Sequence, residues 1–196
     1  MSIKPRIPYF CKGCPHERTY EALVEVLKLY PNTIINGDIG CYEIAGFGNV
    51  SGKNEPDYKK LRDLIDTLFV MGSGISVSQG MYKSGYKGKI VALAGDSTFF
   101  HACMPGIVNA VVNKSEITFL IFDNRCTAMT GHQENAGNFI NIKKVVESMG
   151  IKFTKTINPA KKHEAIDALK QAFDYKGVSV IISEAPCALY TIKKRK

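Results

Sequence analysis

The sequence predicts a single α/β domain built on a mostly parallel sheet with helices on both faces. Apolar, β-branched runs recur along the 196 residues, and amphipathic stretches of helical spacing lie between them. The runs also lack polar alternation, as strands covered on both faces do. The strand runs are "TIING" (33–37), "KIVALAGD" (89–96), "ITFLIFDN" (117–124) and "GVSVIISEA" (177–185), with a weaker one at "IKFTKTI" (151–157). The helical stretches are 17–30, 75–85, 101–114 (beginning near 99), 142–150 and 161–175, several of which end at Gly or before Pro. With 45% hydrophobic residues the chain can bury one substantial core, and it is too short for two ordinary domains. It carries no internal repeat and no low-complexity linker.

Composition narrows the function classes. No run approaches the roughly 18–20 apolar residues of a membrane helix, and the start "MSIKPRIPYFCKGC" lacks the apolar core of a signal peptide. The expected compartment is the cytoplasm, where six cysteines read as metal ligands, redox groups or small buried residues rather than disulfides. The net charge of +8 does not indicate nucleic acid, because apart from the terminal "KKRK" the basic residues are scattered and no nucleic-acid motif accompanies them. Docking of acidic partners is the more economical use of that charge, and a solvated surface is the plainer one.

In an open parallel sheet, ligands collect at the carboxyl ends of the strands. Four such ends carry the unusual residues: Asp38 to Cys41, Gly95 to Ser97, Asn124 to Gln133, and Cys187. Asp96 and Asn124 each close a buried-looking strand and would meet if those strands are neighbours. Magnesium takes one or two oxygen ligands from the protein and the rest from phosphates and water. The Gly95-Asp96-Ser97 turn lets the backbone approach a phosphate, and the helix after it presents N–H groups. Taken singly, Asp96 reads as a helix cap, Asn124 as a turn residue and Thr130 as a loop hydroxyl. Their register on successive strand ends favours a metal–phosphate clamp.

At these residues the chain resembles a known family. "GDS" followed by the later Asn124 is similar to the thiamin-diphosphate motif, with Ser97 in place of its last Gly. "DNRCTAMTGHQ" (123–133) resembles the thiamin-binding segment of 2-oxoacid:ferredoxin oxidoreductases, especially the indolepyruvate type. The resemblance implies a thiamin-diphosphate-binding fold of the diphosphate (PP) type. It also implies Mg2+ held by the Asp96 carboxylate, the Asn124 amide oxygen and the Cys126 carbonyl, with Thr127, Thr130 and Gly131 beside the diphosphate. Asp38 and Gly40 lie on the same expected edge. Met71 and Gly72 occupy the turn where related enzymes put a bulky residue under bent thiamin, although a core Met fits the sequence as well.

The cysteines are a second anchor. Cys11-x-x-Cys14 is compatible with zinc, a dithiol, or half of an iron–sulfur site. Haem attachment fails because Pro15 stands between Cys14 and His16, and no second close pair completes a zinc ribbon. With Cys41 and Cys187 the pair makes the four thiolates of a [4Fe-4S] cluster, an arrangement that resembles the catalytic subunit of the same family. Cys103 and Cys126 have no counterpart in that role and read as small helix and loop residues. His16, His101 and His132 fall in segments that match the family, so proton transfer or substrate contact is one reading for them and a neutral structural role the other.

The resemblance runs from "CKGCPH" to "APCAL" and is closest to the carboxyl-terminal part of the indolepyruvate:ferredoxin oxidoreductase alpha subunit. It implies oxidative decarboxylation of a 2-oxoacid, an aryl pyruvate by analogy, to acyl-coenzyme A and CO2, with electrons leaving through the cluster to a ferredoxin. That family's large subunit adds a pyrimidine-binding domain and a ferredoxin-like domain that this sequence lacks. The carboxylate that assists the aminopyrimidine comes from the former. The expectation is a hetero-oligomer, inactive without a pyrimidine-domain subunit. A non-oxidative thiamin decarboxylase needs no cysteine quartet, and a non-catalytic iron–sulfur or zinc module needs neither Asp96 nor Asn124.

Overall fold

The computed structural model describes residues 9–47 and 63–194. Its strands are β1 (Ile34–Gly37), β2 (Thr67–Leu68), β3 (Ile90–Gly95), β4 (Ile117–Asp123), β5 (Phe153–Ile157) and β6 (Val178–Glu184). They form one sheet in the order β2-β1-β3-β4-β6-β5, with every neighbouring pair parallel. The helices are α1 (Pro15–Leu27), α2 (Ile44–Phe47), α3 (Ser73–Lys83), α4 (Asp96–Thr98), α5 (Met104–Val112), α6 (Ile142–Ser148), α7 (Lys162–Asp174) and α8 (Ala188–Lys194).

The strand pleat sorts the core into two layers. Val91, Leu93, Leu120, Phe122 and Ile181 pack with Tyr20, Leu23 and Val26 of α1 and with Leu169 and Phe173 of α7. Their strand neighbours Ile90, Ala92, Phe119, Ile121, Val180 and Ile182 pack with Ile75 of α3, Ile107 of α5, and Ile142 and Val146 of α6. Burying each large side chain contributes about 1.5–3 kcal/mol. Both faces of β3 and β4 need apolar residues, hence their unbroken runs.

The sequence foresees five strands but not β2, whose two residues are too few to show a period. It also foresees one helix from about residue 99 to 114. The chain is instead helical from Asp96, then widens into a π turn over Phe99–Cys103 before α5 begins. Pro105 is the physical cause: it has no N–H for the residue 101 carbonyl, and its ring crowds that group. The first helix starts two residues earlier than expected, at Pro15, because proline suits a first helical turn.

From β1 the chain goes to β2 on one side and resumes at β3 on the other, opening a crevice at the carboxyl ends between β1 and β3. β1, β3, β4 and β6 stand side by side, so the four expected strand ends share one edge. No helix among the described residues is long and apolar enough to cross a membrane. Residues 195–196 of the "KKRK" run lie outside the described residues.

Candidate cofactor site at the carboxyl edge of the sheet

Gly95 pairs with Phe122 across β3 and β4, which sets Asp96 beside Asp123 and next to Asn124. Asp96 is buried and accepts N–H groups from Ser97 (2.8 Å) and Arg125 (2.9 Å). Asp123 is in contact with it. Burial first, then the Asp96 charge, raises the Asp123 carboxyl, and burial raises Asp96 as well. Two touching buried carboxyls cannot both be charged. Their contact raises Asp123 and lowers Asp96, so of the two Asp96 keeps its charge more readily.

Arg125 organises the loop that follows. Its backbone is left-handed (φ 64°), a conformation costing a non-glycine residue about 1–2 kcal/mol. Its guanidinium pairs with Asp123 (3.4 Å) and Glu184 (2.6 Å) and donates to the Gly137 carbonyl (3.1 Å). Asn138 donates to the Arg125 carbonyl (3.1 Å), and the Asn135 and Asn138 side chains cap the short turn at Ala136–Asn138. The Asn135 amide lies near enough to Asp96 to steady its charge. Its Nδ2, however, meets no acceptor in hydrogen-bond geometry and is buried unpaired. An unpaired buried donor costs about 1–3 kcal/mol, which a phosphate oxygen at that place would relieve.

Asn124 Oδ1 accepts the Cys126 N–H (3.1 Å), while its Nδ2 lies 3.3 Å from His16 Nε2. His16 is fully enclosed against the edge of Phe122 (5.0 Å between centroids), and burial holds it down to about 4, so the ring is neutral. Thr127 and Gln133 form an antiparallel bridge. Thr130 and Gln133 are joined by two further bonds (2.7 Å each). His132 is left-handed (φ 65°) and stacks on Tyr190 of α8, whereas His101 is exposed on the π turn. The three histidines therefore occupy three different settings.

Asp38 is fully buried. It accepts the Tyr42 hydroxyl and the Gly72 N–H (2.7 Å), and burial pushes its carboxyl up to about 6. Gly72 is left-handed (φ +84°) at the start of α3, and a Cβ there would sit 2.4 Å from that of Ala102. The preceding Met71 is exposed at the turn. Tyr42 lies flat on Phe122 (5.3 Å, 1°). A side chain on Gly95 would come within 2.9 Å of the Tyr42 ring, and one on Gly40 within 2.3 Å. Glycine in the Gly95-Asp96-Ser97 turn thus answers to a tyrosine that the sequence did not single out.

Cys11 and Cys14 stand before α1, Cys41 opens the turn after Gly40, and Cys187 follows β6. Burial pushes the Cys14 thiol up to about 12 against the pull of the His16 and Glu17 N–H groups, with smaller effects from Cys11 and Cys41. Burial, then Cys187 and Cys11, pushes Cys41 up to about 11. Cys41 therefore lies within electrostatic reach of Cys11, Cys14 and Cys187. Among the described residues, no three His, Cys, Asp or Glu side chains are gathered tightly enough to hold a metal ion. Cys126, also buried, interacts with Cys187, whereas Cys103 belongs to the core between sheet and α5 and is raised by burial, then by Asp38.

By chemistry the sequence candidates fall into two sets. The Asp96 carboxylate, Asn124 amide oxygen and Cys126 carbonyl are hard oxygens suited to magnesium, with the orphan Asn135 amide suited to a phosphate. The four cysteines are soft sulfur donors, one of them at a helix N-terminus that favours thiolate. Sequence reading found the ligand candidates but missed Asp123, Arg125, Asn135, Asn138, Glu184 and Tyr42. "NAGN" carried a turn signal; the ion pairs left none.

Known proteins with similar sequences and folds bear on this edge. The chain is 33% identical, over 98% of its length, to indolepyruvate oxidoreductase subunit IorA of Archaeoglobus fulgidus, and 36% identical, over 95%, to that of Methanothermobacter thermautotrophicus. It spans about 30% of the length of each. Its fold matches a 2-oxoglutarate:ferredoxin oxidoreductase from Magnetococcus marinus, solved with 2-oxoglutarate, coenzyme A and succinyl-CoA bound. That match has a TM-score of 0.76 at 14% identity and covers 94% of this chain and 66% of that one. Residues 38–183, which contain Asp96, Asn124 and Cys126, match the thiamine pyrophosphate enzyme C-terminal TPP binding domain, and the chain belongs to that family.

Proposed function

We propose that the chain is the thiamin-diphosphate- and iron–sulfur-binding part of a cytoplasmic 2-oxoacid:ferredoxin oxidoreductase. Its substrates would be aryl pyruvates, converted to acyl-coenzyme A and CO2. The observation that carries this reading is the sharing of one sheet edge by the Asp96–Asn124 loop and four neighbouring cysteines, in a chain similar to IorA proteins. Bound thiamin diphosphate would supply the carbanion chemistry of decarboxylation, and the cluster would accept the electrons one at a time.

The chain's own residues prepare that edge. Asp96, Asn124 and the Cys126 carbonyl would hold Mg2+, while Asn135 Nδ2 and the loop from Thr127 through Thr130 to Gly131 would receive the diphosphate. Asp38 anchors Tyr42 and Gly72, and so fixes the walls between the Cys41 turn and Met71. Cys11, Cys14, Cys41 and Cys187 would ligate the cluster. Neutral His16 holds the Asn124 amide, and its burial suits positioning better than proton exchange with solvent. His101 and His132 are open enough to meet substrate.

A pyrimidine-binding domain from outside these 196 residues would complete the site, with a ferredoxin as electron acceptor. The test combines the chain with that partner and coenzyme A, and screens 2-oxoacids with ferredoxin or viologen. Aryl pyruvates should reduce the acceptor only in the presence of coenzyme A. Carbon dioxide released without acceptor reduction would instead make the protein a non-oxidative decarboxylase.

A further inference from the structure

The opposite, amino edge of the sheet carries a cleft that none of the cofactor candidates lines. Its volume is about 440 Å³, within the ~300–1,000 Å³ of small-molecule sites, and it opens between the ends of α3 and α7 at the starts of β3, β4 and β6. The seven residues of β4, roughly 20 Å at the usual rise per residue, separate it from the Asp96 loop. Three Tyr-Lys pairs, each followed within two residues by glycine, line it: Tyr82-Lys83, Tyr86-Lys87 and Tyr175-Lys176. With the half-buried Lys89 they set four lysines against one carboxylate, Glu116, which pairs with Lys176 (3.4 Å). Lys83 donates to the Asn113 carbonyl (3.3 Å) and Lys89 to the Phe173 carbonyl, and neutral carbonyls cancel no charge. Among the described residues Lys83, Lys87 and Lys89 form no ion pair, so three ammonium charges border the cleft uncompensated.

The segment that supplies three of these lysines is fixed in shape. Gly85 is left-handed (φ +89°), and a Cβ on Gly88 would meet the Asn32 carbonyl oxygen at 1.7 Å. The Tyr86 hydroxyl donates to that same carbonyl (3.0 Å), so the ring is anchored at its tip while 38% of the residue stays exposed. Helix C-termini favour cations, which accounts for Lys83 at the end of α5 and Lys89 at the end of α7. Lys87 has no such partner among the described residues. We propose that the cleft is a nucleotide site, in which Lys83, Lys87 and Lys89 hold the phosphates and the Tyr86 ring stacks on the base. Ammonium groups form charge-assisted hydrogen bonds with phosphate, and an open aromatic face accepts any base. A cleft of this volume suits one small ligand, whereas a nucleic-acid strand needs a groove that tracks its backbone.

The test is calorimetric titration of the purified full chain with ATP, tripolyphosphate and adenosine, with thermal melts confirming that each variant folds. ATP should bind saturably and more tightly than either of the other two probes. Lys83→Glu and Lys87→Glu should each weaken ATP about 10-fold or more. Tyr86→Leu should weaken ATP about 5-fold or more and leave tripolyphosphate unaffected. Saturating thiamin diphosphate and magnesium, or Asp96→Ala at the far edge, should leave ATP binding unchanged. No detectable ATP binding at millimolar concentration would overturn the proposal. Displacement of ATP by thiamin diphosphate, or its loss in Asp96→Ala, would do the same by moving the ligand to the carboxyl edge. Equal affinities for ATP and tripolyphosphate would reduce the cleft to an anion site, and tighter binding of a single-stranded oligonucleotide would make the partner nucleic acid; either result overturns the nucleotide assignment.

Discussion

The two halves of the carboxyl edge are built differently. Around Asp96 the site is largely made by backbone: N–H groups of Ser97 and Arg125 reach its carboxylate, and a left-handed Arg125 closes the loop over it. Its members come from two adjacent strand ends and one loop. The sulfur half gathers Cys11 and Cys14, Cys41, and Cys187 from segments that only the completed fold brings together. A main-chain site preserves its shape when one side chain changes, whereas a site of distant side chains depends on each one. The two halves should therefore fail in different ways.

The largest effect is expected from the cysteines. Replacing Cys14 or Cys187 by Ala should abolish the cluster, lowering iron from about four per chain toward none while thiamin-diphosphate binding persists. Colorimetric iron and calorimetric binding on the same samples check both parts. Loss of cofactor binding as well would erase the distinction between the halves. Asp96→Ala should do the reverse, weakening thiamin diphosphate by at least the ~100-fold that loss of a supporting ligand contact brings, with iron retained.

Arg125 sharpens the comparison. Arg125→Ala keeps the unfavourable backbone and discards the ion pairs, so about 10-fold weaker cofactor binding is expected. Arg125→Gly should be the more stable of the two, since glycine adopts φ 64° freely. If both variants bind as wild type does, the loop does not depend on the Arg125 side chain. Tyr42→Phe should cost about 1.5–3 kcal/mol of stability, the range for a hydrogen bond to a charged group, read by chemical denaturation.

Asp38 gives an effect that depends on pH. Its carboxyl is raised from 3.8 to about 6, chiefly by burial, so folding favours the protonated form. That contribution is complete below about 3.8 and is lost as pH rises through about 6. The stability of wild type relative to Asp38→Asn should therefore decline between pH 4 and 6, by up to about 3 kcal/mol. A difference constant across that window would place Asp38 in contact with water.

Much of this architecture is legible in the sequence where burial is continuous. β3, β4 and β6 are enclosed on both faces, and their apolar runs show it. β2 leaves no pattern in two residues, and the π turn required knowing how Pro105 meets the preceding helix. The same division holds at the site. Asp96 and Asn124 are legible because each ends a strand, and the cysteines because few residues share their chemistry. Glu184 and Tyr42 are not, because their roles arise from contacts with Arg125, 59 positions away, and with Gly95, which only strand order creates.

The most direct test of the central claim, that one sheet edge serves two cofactors, is iron, acid-labile sulfide and thiamin determined on a single anaerobically purified sample. About four irons and four sulfides per chain are expected, together with one thiamin diphosphate and magnesium. Thiamin without iron would contradict the sulfur half, and iron or zinc without thiamin would contradict the Asp96 half.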